Sequence, residues 1–286
     1  MSDVPFVYKY MPYRKEFFEN FYLRCTPRSA LNDPFELRPS NQYTRDHALE
    51  LIGESEYTDS PSEDELYNQQ WIEKSLNGAY NKTGIVSFSE TKDNLLMWSH
   101  YADQHKGIVL CFDTSHPFFA KDPSRDKQLA RVHYRKDRMK ALPQSLRNGL
   151  YMADSTRIYF EKSDEWIYEK EYRLTCDLYA TDATLCTAEY FEKNLSRKHP
   201  DFEPEAVTDK LISITGIENC CHDASKPEVL CMLQVPTECI LSVICGHNML
   251  DEQKQEVREY TQRLGISYLE TVPDADEYKL NFIQNE

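Results

Sequence analysis

Aromatic residues and others alternate through Phe6-Val7-Tyr8-Lys9-Tyr10, the period-2 pattern of a half-buried strand. Phe17, Phe18 and Phe21 then recur at helical spacing, and Tyr22 to Cys25 reads as a short strand. In Asn32-Asp33-Pro34-Phe35-Glu36 the Asn-Asp pair before proline predicts a turn, because the residue preceding proline is pushed out of the helical region. Residues from about 46 to 81 carry helical spacing, interrupted by a polar stretch at 54–64 that reads as a surface loop. Gly84 to Glu90 predicts a strand. Asp93 is the expected N-cap of a helix through Leu96, Met97, Trp98 and Tyr101, and Lys106-Gly107 its expected end through a left-handed glycine.

Ile108 to Phe112 has the length and apolarity of a buried strand, Arg131 to Tyr134 predicts a short one, and 144–159 a helix. In a strand from Tyr168 to Cys176, Tyr172, Leu174 and Cys176 would face one way and Glu169, Glu171, Arg173 and Thr175 the other. The polar region 181–228 shows helical stretches near 187–196 and 204–213. Val229–Val235 and Ile240–Cys245 read as strands, and the short link Pro236-Thr237-Glu238 predicts that they are neighbours. An amphipathic helix at 251–264, closed by Gly265, precedes strands at 266–272 and 278–283. The strands cluster without regular βαβ alternation, so the expectation is an α+β fold: a mixed, mainly antiparallel sheet core with helical insertions. With no visible linker, residues 1–286 are expected to form one domain, with variable insertions near 43–82 and 181–228.

Composition narrows the partners. A net charge of −15 repels phosphate backbones, so nucleic acid would need a local basic patch. Lys121, Arg125, Lys127, Arg131, Arg135, Lys136, Arg138 and Lys140 supply a candidate, whose plainer explanation is a solvated charged face. No apolar run is long enough to span a bilayer and the first residues lack a signal-peptide core, so the expectation is a cytoplasmic protein without membrane association. Nine cysteines, most of them in apolar strands, read as reduced core thiols. Cys220-Cys221-His222 with Cys231, Cys239, Cys245 and His247 matches no zinc-knuckle spacing, so no metal is expected there.

The chain has no phosphate loop, dinucleotide glycine turn, HExxH or GxSxG signature. Its most chemical feature is the Glu169, Glu171 pair. On one strand face the two would stand roughly 6.5–7 Å apart, close enough to act on one ligand. A carboxylate there can hydrogen-bond a ribose hydroxyl and stabilise an oxocarbenium-like transition state. The plainer alternative is a solvent-facing strand with Glu171 paired to Arg173. His100 and His105 could serve as bases beside it, and Trp98 reads as a core anchor.

Tyr8-Lys9-Tyr10, Asn32-Asp33-Pro34-Phe35-Glu36, the strand from Gly84 to Glu90 leading to Leu96-Met97-Trp98-Ser99-His100-Tyr101-Ala102 and Lys106-Gly107-Ile108, and Tyr168-Glu169-Lys170-Glu171-Tyr172-Arg173-Leu174 occur in this order. Together they resemble a bacterial family of unknown function. The arrangement is also similar to ADP-ribosyltransferase-like folds with split sheets. That similarity implies NAD as substrate, a protein or nucleic-acid acceptor, and a bacterial defence role, against phage for example, or a toxin role. By the same similarity Tyr8, Lys9 and Tyr10 would touch NAD, Ser87 and Ser89 would support it, His100 and Tyr101 would line the cleft, and Glu171 would be the catalytic acid beside Glu169. Lys9 departs from the usual His or Arg of the first strand. Two rivals stand beside this: a non-catalytic sensor or interaction protein of the same fold, and a nuclease holding Mg²⁺ with Asp33, Glu36, Glu169 and Glu171.

Overall fold

The computed structural model describes residues 4–52, 62–140, 156–217 and 224–284. The chain runs β1 (Phe6–Met11), α1 (Lys15–Asn20), β2 (Tyr22–Pro27), α2 (Asn41–Ile52), α3 (Glu63–Tyr80), β3 (Thr83–Ser89), α4 (Leu95–Tyr101) and β4 (Ile108–Asp113). It continues through β5 (Gln128–Arg131), β6 (His133–Arg135), β7 (Glu161–Ser163), β8 (Glu171–Asp177), β9 (Ala183–Thr187), α5 (Ala188–Asn194), β10 (Glu205–Ala206) and β11 (Leu211–Ser213). It ends with β12 (Leu230–Gln234), β13 (Ile240–Cys245), α6 (Asp251–Leu264), β14 (Ser267–Pro273) and β15 (Leu280–Ile283). The fold is α+β, with a mostly antiparallel open sheet; among the described residues only β13 with β14 and β6 with β7 pair in parallel.

Strand β3 organises the sheet. One edge pairs with β8 along its whole length, from Thr83 opposite Asp177 to Ser89 opposite Glu171. The other edge is shared: β2 meets it only at Ile85 and Gly84, and β1 only at Ser89. Between those contacts β1 and β2 diverge, and a fork opens along β3. The ammonium of Lys9 bridges it, donating to the Ser87 carbonyl at 2.9 Å. This satisfies a main-chain acceptor that has no strand partner there.

Alternation along β3 and β8 divides the interior. Val86, Phe88, Tyr172, Leu174 and Cys176 join the main apolar core. The opposite face carries Ser87, Glu171 and Arg173, beside a second core in which Tyr43, Ile72, Leu76 and Tyr80 from α2 and α3 pack with Ile85 and Tyr159. Helix α3 begins at the Ser62 cap, whose hydroxyl accepts from the Glu65 amide at 3.1 Å. The seven cysteines among the described residues are free and buried. No helix among the described residues is long and apolar enough to cross a membrane.

Several local expectations change. The stretch at 204–213 is a hairpin, because the Thr208 hydroxyl accepts from the amides of Lys210 and Leu211 and tightens the turn between β10 and β11. Strands β12 and β13 are not neighbours: β12 pairs with β2 and β9, whereas β13 pairs with β4 and β14. Their short link carries the chain across the core from one arm of the sheet to the other, burying Val235 and Cys239 on the way. Asn94 rather than Asp93 caps α4, accepting from Leu96 and Met97. Cys220, Cys221 and His222, and most of the expected helix at 144–159, lie outside the described residues.

Helix α4 ends through three consecutive left-handed residues, Asp103, Gln104 and His105, rather than at Gly107. Such conformations cost about 1–2 kcal/mol each outside glycine. Here the amides of His105 and Gly107 return to the carbonyls of Trp98 and Ala102, and the His105 carbonyl accepts from Asn248. Gly107 and Gly246 are needed for close approach. A Cβ on Gly246 would stand 2.0 Å from the His105 carbonyl oxygen, and one on Gly107 2.3 Å from that of Met11.

Gly246→Ala should therefore destabilise the fold by about 3 kcal/mol or more in urea denaturation. Gly78→Ala, within α3 and facing open space, should be neutral or stabilising by up to about 1 kcal/mol. Equal effects of the two substitutions would contradict this packing.

Candidate functional site

The turn predicted at Asn32–Glu36 is held by the Asp33 carboxylate, which accepts from the Phe35 amide at 2.8 Å. It turns the Glu36 side chain inward, against the polar face of β8. Strand β7 delivers Lys162 to the same place. Glu169 lies in a 3₁₀ turn before β8, not in the strand, and left-handed Lys170 separates it from Glu171. The expected strand from Tyr168 is thus corrected: it begins at Glu171, and the two carboxylates approach from a turn and a strand. The Ser89 hydroxyl fixes that turn by donating to the Glu169 carbonyl at 2.7 Å, and the Tyr134 hydroxyl accepts from the Glu171 amide at 2.7 Å.

These groups form a buried ion cluster. Arg173, 1% exposed, donates to Glu171 through Nε at 2.9 Å and Nη2 at 3.1 Å, to the Tyr159 carbonyl at 2.8 Å, and to Glu36. The Lys162 ammonium lies 2.6 Å from Glu169 and 3.3 Å from both Glu36 and Glu171. The pairing of Glu171 with Arg173 is as the plainer sequence alternative had it, but both are buried rather than solvent-facing.

The two neighbouring carboxyls are driven in opposite directions. At Glu171 burial disfavours the charge, but Arg173 and Lys162 outweigh it and bring the pKa down to about 2. At Glu169 burial dominates, the Glu171 charge adds to it, and the pKa rises despite Lys162. Glu169 accepts from the Tyr101 hydroxyl on one oxygen and from Lys162 on the other. Burial of the Lys9 ammonium lowers its pKa to about 8 against the pull of Glu171.

Glu169, Glu171, Lys162 and Glu36 line a cavity of about 190 Å³, together with Tyr8, Lys9, Tyr10, Ser87, Ser89 and Tyr101. It opens at the fork between β1 and β2. The residues singled out in the sequence for NAD contact and catalysis are brought there except His100, which is exposed on α4 with its Nδ1 3.2 Å from the Tyr168 hydroxyl, and the second candidate base, His105, is absent too. His105 stacks on Trp98 instead, 6.1 Å between centroids. Sequence reasoning missed Lys162 as a site residue, and it had no local signal, since it sits in a three-residue strand outside every motif.

The acidic residues of the Mg²⁺ rival converge only in part. Glu36, Glu169 and Glu171 meet, but around an ammonium that stands where a shared cation would bind, and Asp33 is committed to the Phe35 amide. Among the described residues no group of three or more His, Cys, Asp or Glu side chains is arranged to hold a metal. The basic run at 121–140 divides: Lys127 is buried on the Phe118 carbonyl, Arg125 pairs with Asp182 and Arg131 with Glu90, whereas Arg135, Lys136 and Arg138 lie together at a neighbouring cavity.

Residues 97–174, which include most of α4 and the first half of β8, match the model of a family described as Protein of unknown function (DUF2971). The likeness to a family of unknown function therefore holds over that segment. No curated protein and no solved structure matches the chain.

Two outcomes test the cluster. Arg173→Met leaves Glu36 and Glu171 buried without their guanidinium and should cost about 3–5 kcal/mol in chemical denaturation; a loss below about 1 kcal/mol would contradict it. Because the Glu171 pKa is depressed from 4.5 to about 2, its ionisation stabilises the fold above 4.5, and that contribution is lost as pH falls through this window. Glu171→Gln should therefore flatten stability against pH between about 4.5 and 2, and an acid limb like that of the wild type would contradict the assignment.

Proposed function

We propose that this protein, with a DUF2971 segment at its centre, is an NAD-consuming, ADP-ribosyltransferase-like enzyme whose chemistry takes place in the cavity at the β1–β2 fork. The observation that carries the reading is the convergence of β1, β3 and β8 residues on one cavity lined by two carboxyls whose pKa values are shifted in opposite directions. Such a divergence of pKa values is how a site separates a fixed charge from a proton carrier.

In this reading the bond between ribose C1 and the nicotinamide nitrogen breaks, its electron pair leaving with nicotinamide. The ribose becomes oxocarbenium-like, and the permanently ionised Glu171 offsets that positive charge. Arg173, Lys162 and Ser87 already engage the Glu171 oxygens, so it acts through its field. Glu169 holds only Tyr101 and Lys162, one on each oxygen. It retains lone pairs for a ribose hydroxyl and takes the proton as an acceptor nucleophile or water adds to C1. The non-catalytic interaction protein is the reading that the charge compensation of the cluster favours, and the same experiment decides between the two.

Purified protein incubated with NAD, alone and with protein or nucleic-acid acceptors, should release nicotinamide. Glu169→Gln and Glu171→Gln should each slow release by about 10²-fold or more while the circular dichroism of the fold is kept. No release from the wild type with any acceptor, or undiminished release from both variants, would reject the reading.

A further inference from the structure

A second cavity, of about 240 Å³, adjoins the first. The two share Glu36 and Lys162, whose ion pair at 3.3 Å forms the wall between them. Each alone falls below the roughly 300–1,000 Å³ typical of small-molecule sites, and the two together fall within that range. A ligand filling both would lie across the buried cluster.

The second cavity differs in charge from the first. Arg38, Lys136 and Arg138 line it, and among the described residues none of the three has a carboxylate partner. Among the described residues Arg138 donates to the main-chain carbonyls of Arg38 and Pro39, which carry no formal charge to offset its own. Of the acids nearby, Asp33 holds the Phe35 amide and Glu161 is taken by Arg135 and Arg157; Asp137 remains exposed at the rim. Three exposed cations at one cavity, none with a carboxylate partner among the described residues although Asp33, Glu36, Asp137 and Glu161 also line it, are a marked feature in a chain of net charge −15. Guanidinium and ammonium groups so placed suit phosphate oxygens, the guanidinium in bidentate fashion.

The same rim carries an aromatic surface. Phe35 is 59% exposed, and the Arg138 guanidinium lies over its ring at 5.3 Å from the centroid. A flat face beside phosphate-binding cations offers a stacking position for a heterocyclic base.

We propose that the second cavity binds a nucleoside diphosphate moiety: its phosphates on Arg38, Lys136 and Arg138, its base against Phe35, and its distal end directed over the Lys162–Glu36 pair into the first cavity. This rests on the proposed cleavage of NAD for the identity of the group at the distal end. The nucleoside diphosphate site itself is tested separately.

Isothermal titration calorimetry with ADP, using the full-length protein, is the direct experiment. The wild type should bind ADP, and the combined variant Arg38→Ala, Lys136→Ala, Arg138→Ala should bind it at least about tenfold more weakly, the loss expected for one charge-assisted contact. Phe35→Ala should weaken ADP binding but leave binding of inorganic pyrophosphate unchanged. No ADP binding by the wild type, equal affinity in the triple variant, or binding of a single-stranded oligonucleotide in preference to ADP would overturn the proposal. ADP binding that depends on these residues without nicotinamide release supports this site and rejects the cleavage reaction. Nicotinamide release with an unchanged KM for NAD in the triple variant does the reverse.

Discussion

The buried guanidinium of Arg173 is the contact on which the rest of the site depends. It emerges from the polar face of β8 and reaches three separate parts of the chain: Glu171 in its own strand, Glu36 in the turn after β2, and the carbonyl of Tyr159 before β7. A cation taken so completely out of water is tolerated only when carboxylates and carbonyls replace its hydration. That requirement fixes where the Asn32–Glu36 turn and the segment leading to Lys162 must lie. The cavity at the fork is bounded by the groups that Arg173 draws together.

From this follows the asymmetry between two glutamates only two positions apart. Had β8 begun at Tyr168, both would share a face and much the same surroundings. Left-handed Lys170 instead delays the start of the strand to Glu171, so Glu171 meets the guanidinium and Glu169 turns towards Tyr101 and Lys162. Arg173 and Lys162 hold one carboxyl well below the ordinary range, whereas burial raises the other, so the pair is driven apart in titration. The fork in the sheet leaves room for the cavity beside them, since β1 and β2 meet β3 at different points along one edge.

Much of this was legible in the residue pattern. The strand at Phe6–Tyr10, the Ser87 to Ser89 segment and the Asn-Asp-Pro turn stand where their alternation and turn chemistry place them. Trp98 is the core anchor expected of it, fully buried with its indole nitrogen donating to the Lys92 carbonyl. What was hidden is tertiary. Tyr168 to Cys176 alternates like one strand, and nothing in Glu-Lys-Glu announces a left-handed lysine, a conformation usually marked by glycine or asparagine. Arg173 reads as a surface residue until helices α2 and α3 and the Tyr159 segment cover its side of the sheet. The proximity of β12 and β13 in sequence likewise says nothing of the core that separates them.

The central claim is that neighbouring carboxyls in one cavity titrate far apart because burial acts on both while Arg173 neutralises only one. Carbon-13 NMR of side-chain carboxyls in protein labelled at glutamate, followed against pH and assigned with Glu169→Gln and Glu171→Gln, measures this directly. The account predicts that Glu171 remains ionised down to about 2, whereas Glu169 titrates above the ordinary 4.5. Titration of both together near 4.5 would contradict it.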